Sequence, residues 1–234
     1  MFFNKRRVAG SGLLRDFTDW HSHILPGVDD GVKHTESSLR ILDRLEQEGV
    51  TRVVFTPHIM EDVPNSTADL RQRFDTFRQQ YTGGIQLSLA AEHMMDQLFE
   101  HRLETGDLLP LTDRFVLVET SYFNPPYQME QLLERIRDHG YTPVLAHPER
   151  YQYMDGDHYK RLHQHGILFQ LNVPSLTGAY GEEAMAKAKD LLDRGWYHRL
   201  GMDIHSYHFL DAFLHSRILK KEIKKLKEIQ ANAL

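Results

Sequence analysis

Apolar residues along this chain recur in two periods. Short runs rich in Val, Ile, Leu and Phe alternate with longer stretches in which apolar positions return every third or fourth residue. The first kind predicts buried strands and the second amphipathic helices. The runs cover residues 17–21, 51–56, 85–91, 115–118, 142–146, 167–171 and 196–202. Between them, helices are predicted over 35–48, 67–81, 96–104, 127–140, 158–165 and 182–194. The first of these has Leu39, Leu42 and Leu45 on one side and Gly49 as its stop. From 208 to 234, the spacing of Leu210, Phe213, Leu214, Ile218, Leu219, Ile223, Leu226 and Ile229 predicts one long terminal helix. Its lysines, Lys220, Lys221, Lys224, Lys225 and Lys227, lie largely off the apolar stripe and read as a solvated face.

Strict alternation of strand and helix implies an α/β fold with a parallel sheet and right-handed crossovers. An open dinucleotide-binding sheet needs a glycine-rich phosphate loop after its first strand. Here that strand ends in His21-Ser22-His23 and no such loop follows any run, which favours a closed barrel. With 234 residues, one domain over 16–234 is expected, preceded by a solvated tail over 1–15 that carries Lys5, Arg6 and Arg7. No apolar segment of secretory-signal type follows this basic cluster, and no run is long enough to span a membrane. A cytoplasmic location is expected.

Composition changes the picture in two places. A formal charge of −5 with 28 basic residues argues against a nucleic-acid partner. There is no cysteine but there are 15 histidines, so imidazoles and carboxylates are the metal ligands on offer. Their positions matter more than their number. The first run ends at His21 and His23 with Asp29 and Asp30 just beyond. The second ends at His58, the third at Glu92, the fourth at Glu119, the fifth at His147 and the seventh at Asp203 and His205. Only the sixth, ending near Asn172, lacks such a group. In a parallel barrel all these ends open on one face, where active sites are built. Clustered carboxylates repel one another, and divalent cations remove the repulsion. Two or three ions are expected, with mixed nitrogen and oxygen ligands favouring manganese, iron or zinc over magnesium or calcium. Of the other histidines, His34, His101, His139, His158, His163, His165, His198 and His215 are expected in exposed helices or turns, and His93 and His208 near the barrel mouth.

The strings Asp19-Trp-His-Ser-His-Ile-Leu-Pro-Gly-Val-Asp-Asp-Gly31, Thr56-Pro-His58, Ala91-Glu92, Leu117-Val-Glu119, Leu145-Ala-His-Pro-Glu-Arg-Tyr151 and Met202-Asp-Ile-His205 resemble the PHP (polymerase and histidinol phosphatase) superfamily. The match is strongest to its bacterial protein-tyrosine-phosphatase branch of the CpsB/YwqE type. The resemblance implies a distorted (β/α)7 TIM-like barrel with a trinuclear, usually manganese-dependent site, iron, zinc and magnesium being the alternatives. It implies His21, His23, Asp30, His58, Glu92, Glu119, His147, Asp203 and His205 as metal ligands. Glu92 then bridges two metals and Arg150 holds phosphate. The implied reaction is hydrolysis of phosphotyrosine by a metal-activated hydroxide, with His205 or His23 as proton donor. The implied substrate is the Tyr-rich tail of a tyrosine kinase of exopolysaccharide or capsule assembly. Three other readings stay open. One is a histidinol-phosphatase-like enzyme of small phosphomonoesters. Another is an amidohydrolase, against which Glu119 stands where that class usually has a ligand lysine. The third is a metal-stabilised scaffold that docks a kinase.

Overall fold

In the computed structural model, which describes residues 4–232, every predicted apolar run forms strand. The order is β1 (Lys5–Arg7), β2 (Phe17–Ser22), α1 (Thr35–Glu48), β3 (Val50–Phe55), β4 (His58–Ile59), α2 (Thr67–Gln80), β5 (Gln86–Leu89), β6 (Glu92–Met94), α3 (Gln97–Thr105) and β7 (Phe115–Glu119). It continues with α4 (Met129–Asp138), β8 (Thr142–Ala146), α5 (Gly156–Gln164), β9 (Leu168–Asn172), α6 (Gly181–Arg194), β10 (Tyr197–Gly201), α7 (Tyr207–His215), β11 (Arg217–Leu219) and α8 (Lys220–Asn232).

The wall is parallel throughout, in the order β2-β3-β5 and then β4-β6-β7-β8-β9-β10. Two of its staves are broken in the middle. Pro57, which has no N–H to give to the ladder, separates β3 from β4, and Ala90-Ala91 separates β5 from β6. The ladder is carried across the breaks by Ala90 N–H to Phe55 O (2.8 Å) and Glu92 N–H to Pro57 O (3.1 Å). The ring closes where β2 meets the end of β10: Asp203 N–H donates to His21 O (2.8 Å) and His23 N–H to Ile204 O (3.0 Å). Counting each broken pair as one stave, the barrel has seven.

Alternation along the strands sorts side chains to two sides. Trp20, Val54, Ala90, Leu117, Val144 and Ala146 form an inner cluster. Their neighbours Val53, Phe55, Val116, Val118 and Leu145 face outward to the helices. There Phe55 meets Phe74 edge-on with ring centroids 5.7 Å apart. Each large apolar side chain buried in this way contributes roughly 1.5–3 kcal/mol.

The single terminal helix expected over 208–234 is two helices with a strand between them; residues 233–234 lie outside those described. Ser216 is extended (ψ 173°), and its hydroxyl donates to Phe213 O (2.6 Å), ending α7. Arg217–Leu219 then pairs antiparallel with Lys5–Arg7. The apolar spacing hid this break because α7 and α8 bury the same side: Leu210, Phe213 and Leu214 from one, Ile223 and Leu226 from the other. The basic residues expected in a solvated tail are exposed but lie in a strand, and Val8, Leu13 and Leu14 behind them are buried in the main core.

Candidate active site

Two residues apart on one strand, His21 and His23 project to the same side. Their outer nitrogens are fixed. His21 Nδ1 donates to the Gln170 side-chain carbonyl (2.8 Å), and His23 Nδ1 donates to Asp29 Oδ2 (2.8 Å). This leaves both Nε2 atoms pointing inward as lone-pair donors, the arrangement that orients metal-ligating imidazoles. Asp29 also accepts from Gly31 N–H (2.9 Å) and His58 N–H (3.1 Å). Burial raises its pKa, but His23 and these amides outweigh that and hold the carboxyl well below the usual range. Glycine is required at 31, where a Cβ would fall 2.3 Å from His23 O.

Glu92, fully buried at the start of β6, lies at the middle of the group. Its Oε2 is 3.1 Å from His21 Nε2, 3.2 Å from His23 Nε2 and 3.2 Å from His58 Nδ1, and its Oε1 is 2.9 Å from His147 Nε2. Glu119 Oε1 is 3.0 Å from His58 Nδ1, and Asp203 Oδ1 is 3.3 Å from His23 Nε2. At the exposed rim, Asp30 Oδ1 is 3.5 Å from His58 Nε2 and 3.4 Å from His205 Nε2. All nine residues that the resemblance implies as ligands thus lie on one face of the barrel. They form four overlapping groups: His23-Asp30-His58-His205, His21-His23-Glu92, His21-His147-Asp203 and His58-Glu92-Glu119. Within each, the donor atoms lie within 4.8 Å of one another.

Several of these atoms are close without bonding one another. Glu92 Oε2, Glu119 Oε1, Asp203 Oδ1 and His58 Nδ1 are buried and make no hydrogen bond. Buried polar atoms in a native fold are ordinarily satisfied. Donors that converge on shared centres, with their outer atoms fixed, fit divalent cations, and the nitrogen and oxygen donor set suits a transition metal. Without cations, His21 is raised to about 9: burial lowers it, but the charges of Glu92 and Asp203 prevail.

Two site residues have strained backbones. His147 (φ 32°) and Asp203 (φ 53°) are two of the four non-glycine residues with positive φ among those described. Such conformations cluster at functional sites. Right after His147, a 3-10 turn over Pro148–Arg150 swings Arg150 over the same face. Its Nη1 donates to Asp203 Oδ2 (2.7 Å), which Asn172 Nδ2 also approaches (3.2 Å). The guanidinium lies between two rings, 4.4 Å from the Tyr122 centroid and 4.2 Å from that of Tyr180. One edge of the fork is therefore taken by Asp203 rather than left wholly open.

Several polar partners escaped the pattern of strand ends. Gln170 and Asn172 on β9 supply support from the one stave whose end carries no histidine or carboxylate. Gln170, a fully buried polar side chain within an apolar run, was the available signal. Asp19 accepts from Met202 N–H (2.8 Å) and ties β2 to β10; burial pushes it up to about 7. Among the remaining histidines, His34, His101, His139, His165 and His215 are exposed as expected. His158, His163 and His198 are half-buried instead, and His198 lies in β10, where His163 stacks toward it and Trp196. His93 is not at the mouth. Next to Glu92 on β6, it points the opposite way, packs on Phe99 and is buried. His208 is exposed on α7.

Residues 17–216 match the family model for capsular polysaccharide synthesis proteins CpsB/CapC. CapC of Staphylococcus aureus is 28% identical over 200 residues, covering 80% of this chain and 76% of that one. The tyrosine-protein phosphatase YwqE of Bacillus subtilis (strain 168) is 27% identical over 195 residues (80% and 77%). The tyrosine-protein phosphatase CpsB of Streptococcus pneumoniae is 28% identical over 202 (80% and 82%). Among the crystal structures of YwqE and CpsB, described as metal-dependent tyrosine phosphatases, one superposes with a TM-score of 0.76. It is 25% identical and covers 91% of this chain and 86% of its own. Fold and extent of match agree: the chain belongs to the CpsB/CapC family.

Proposed function

We propose that this protein is a metal-dependent protein-tyrosine phosphatase, with His21, His23, Asp30, His58, Glu92, Glu119, His147, Asp203 and His205 holding two or three divalent ions, manganese first among them. The observation that carries the reading is the convergence of buried, unbonded carboxylate and imidazole atoms beside a clamped arginine. Divalent ions held there would supply Lewis acidity, lowering the pKa of water toward about 7 and neutralising phosphate charge. Glu92, with both oxygens facing imidazoles, would be a central member of the set that holds them.

The chain's own groups do the rest. Arg150, held in plane by Tyr122 and Tyr180, directs its remaining N–H groups at the non-bridging phosphoryl oxygens and strengthens its hold as charge builds in the transition state. Asn172 and Arg150 together fix Asp203 Oδ2, leaving Oδ1 for the cluster. Solvent at the rim, where the His205 side chain is 32% exposed, protonates the departing phenolate. That duty is light because a phenolate is a good leaving group, phenols having a pKa near 10. There is no cysteine, so no phosphocysteine forms, and iodoacetamide leaves turnover intact.

The substrate we propose is the Tyr-rich tail of a tyrosine kinase of capsule or exopolysaccharide assembly, met in the cytoplasm. Support for it comes from the family match and from the activity named for YwqE and CpsB. Among the described residues no helix is long and apolar enough to cross a membrane. Steady-state kinetics on a phosphotyrosine peptide, histidinol phosphate and an amide, each with manganese and with chelator, test the proposal. Turnover of the peptide that chelator abolishes is expected. Preference for histidinol phosphate overturns it.

A further inference from the structure

Beside Arg150 lies a cleft of about 180 Å3 lined by Tyr122, Phe123, Arg150, Gln152, Tyr180 and Ala184. That is below the roughly 300–1,000 Å3 of sites that enclose a whole small ligand, and it has room for a single side chain. Half of its lining residues are aromatic and its charged member is the arginine assigned to phosphate. Phe123 is exposed by 65%, and with Tyr127 it makes up the exposed large hydrophobic side chains among the described residues. Both are on the loop between β7 and α4.

An exposed phenylalanine alone means little. This one is held out by an anchored backbone. Gln152 N–H donates to Tyr122 O (2.8 Å), and Phe123 N–H donates to Ser121 Oγ (3.3 Å). Tyr122 is further fixed by Arg150 on its face and by His147, 5.8 Å away. Pro125 and Pro126 stiffen the chain that follows. The ring of Phe123 is thus presented at the cleft at low entropic cost, next to the group that holds phosphate.

We infer that Phe123 is a specificity-determining residue that packs against the aryl ring of the substrate, selecting aryl over alkyl phosphate esters. The inference rests on the proposed phosphatase activity and extends it to the leaving-group side. The Arg150 guanidinium is already engaged by the Tyr122 and Tyr180 rings, 4.4 and 4.2 Å from it. An incoming ring therefore stacks on, or meets edge-on, the free face of Phe123 rather than the cation.

The test uses the full chain loaded with manganese and compares a phosphotyrosine peptide with its phosphoserine counterpart. Phe123→Ala is expected to raise KM for the phosphotyrosine peptide about three- to tenfold, the range an aromatic pair contributes, with kcat little changed. Phe123→Trp, which keeps an aromatic face, restores KM. An unchanged KM in the alanine variant overturns the inference while leaving the phosphatase activity standing. So does an equal rise for the phosphoserine peptide, since the ring would then bind polypeptide without regard to the leaving group. If the wild-type enzyme turns over no phosphotyrosine at all, the proposed function fails and the inference falls with it.

Discussion

Arg150 has two attachments, and a substitution there disturbs both. It faces the space assigned to phosphate, and it donates to Asp203 Oδ2 at 2.7 Å. Arg150→Ala is expected to lower kcat/KM by roughly 2–4 kcal/mol, the loss that follows removal of one preorganised oxyanion contact. Arg150→Lys keeps the charge but not the planar fork that two rings clamp, and recovers only part of it. Metal content measured on both variants separates the phosphate contact from the hold on Asp203; near-normal turnover in the alanine variant contradicts the assignment. His93 carries a pH signature of its own. Burial lowers its pKa to about 4, and as a neutral ring its Nδ1–H donates to Leu117 O (3.2 Å). Below pH ~6.5 the unfolded chain takes up a proton that the folded chain refuses until about 4, so stability falls as pH drops through that window, by at most about 3 kcal/mol. Urea midpoints of metal-free protein at pH 7 and pH 5 should fall less for His93→Gln than for wild type. Equal losses contradict the account.

The strands bring the site together, and their packing tolerates little. Gly201 at the end of β10 lies against β2: a Cβ there would fall 2.5 Å from His21 Cβ and 2.6 Å from Gln170 Nε2. Gly201→Ala is therefore expected to cost roughly 1–3 kcal/mol of stability by overpacking. It also displaces His21 from its carbonyl partner, so bound metal falls too. Thermal melting and elemental analysis of that variant check both, and a variant as stable and as metal-rich as wild type contradicts the close packing. The same elements mark what could be seen in the sequence. Strand and helix periods place the barrel elements from β2 to α6 because each buries one face against its neighbours, and that need is written in the spacing of Leu39, Leu42 and Leu45 as in the runs themselves. The break at Ser216 was invisible, since β11 exists to pair with Lys5–Arg7, a contact more than two hundred residues distant. Gln170 and Tyr180 went unassigned for a related reason. Each acts on a residue from another stave, and only the closed ring brings them together.

For the molecule as a whole, the barrel gathers charge that the chain alone would keep apart. Glu92, Glu119 and Asp203 are buried beside five imidazoles, each with one oxygen that makes no hydrogen bond. The account stands or falls on what fills that centre. The most direct measurement is bound metal per chain and phosphotyrosine-peptide turnover on the same sample, followed through chelation and stepwise return of manganese. Turnover should vanish with the metal and return as at least two ions per chain are taken up, about the number that nine mixed donors can share. His147→Ala and Asp203→Ala, each lacking one proposed ligand, should take up less and stay inactive. Full turnover by protein holding less than one ion per chain would contradict the central claim.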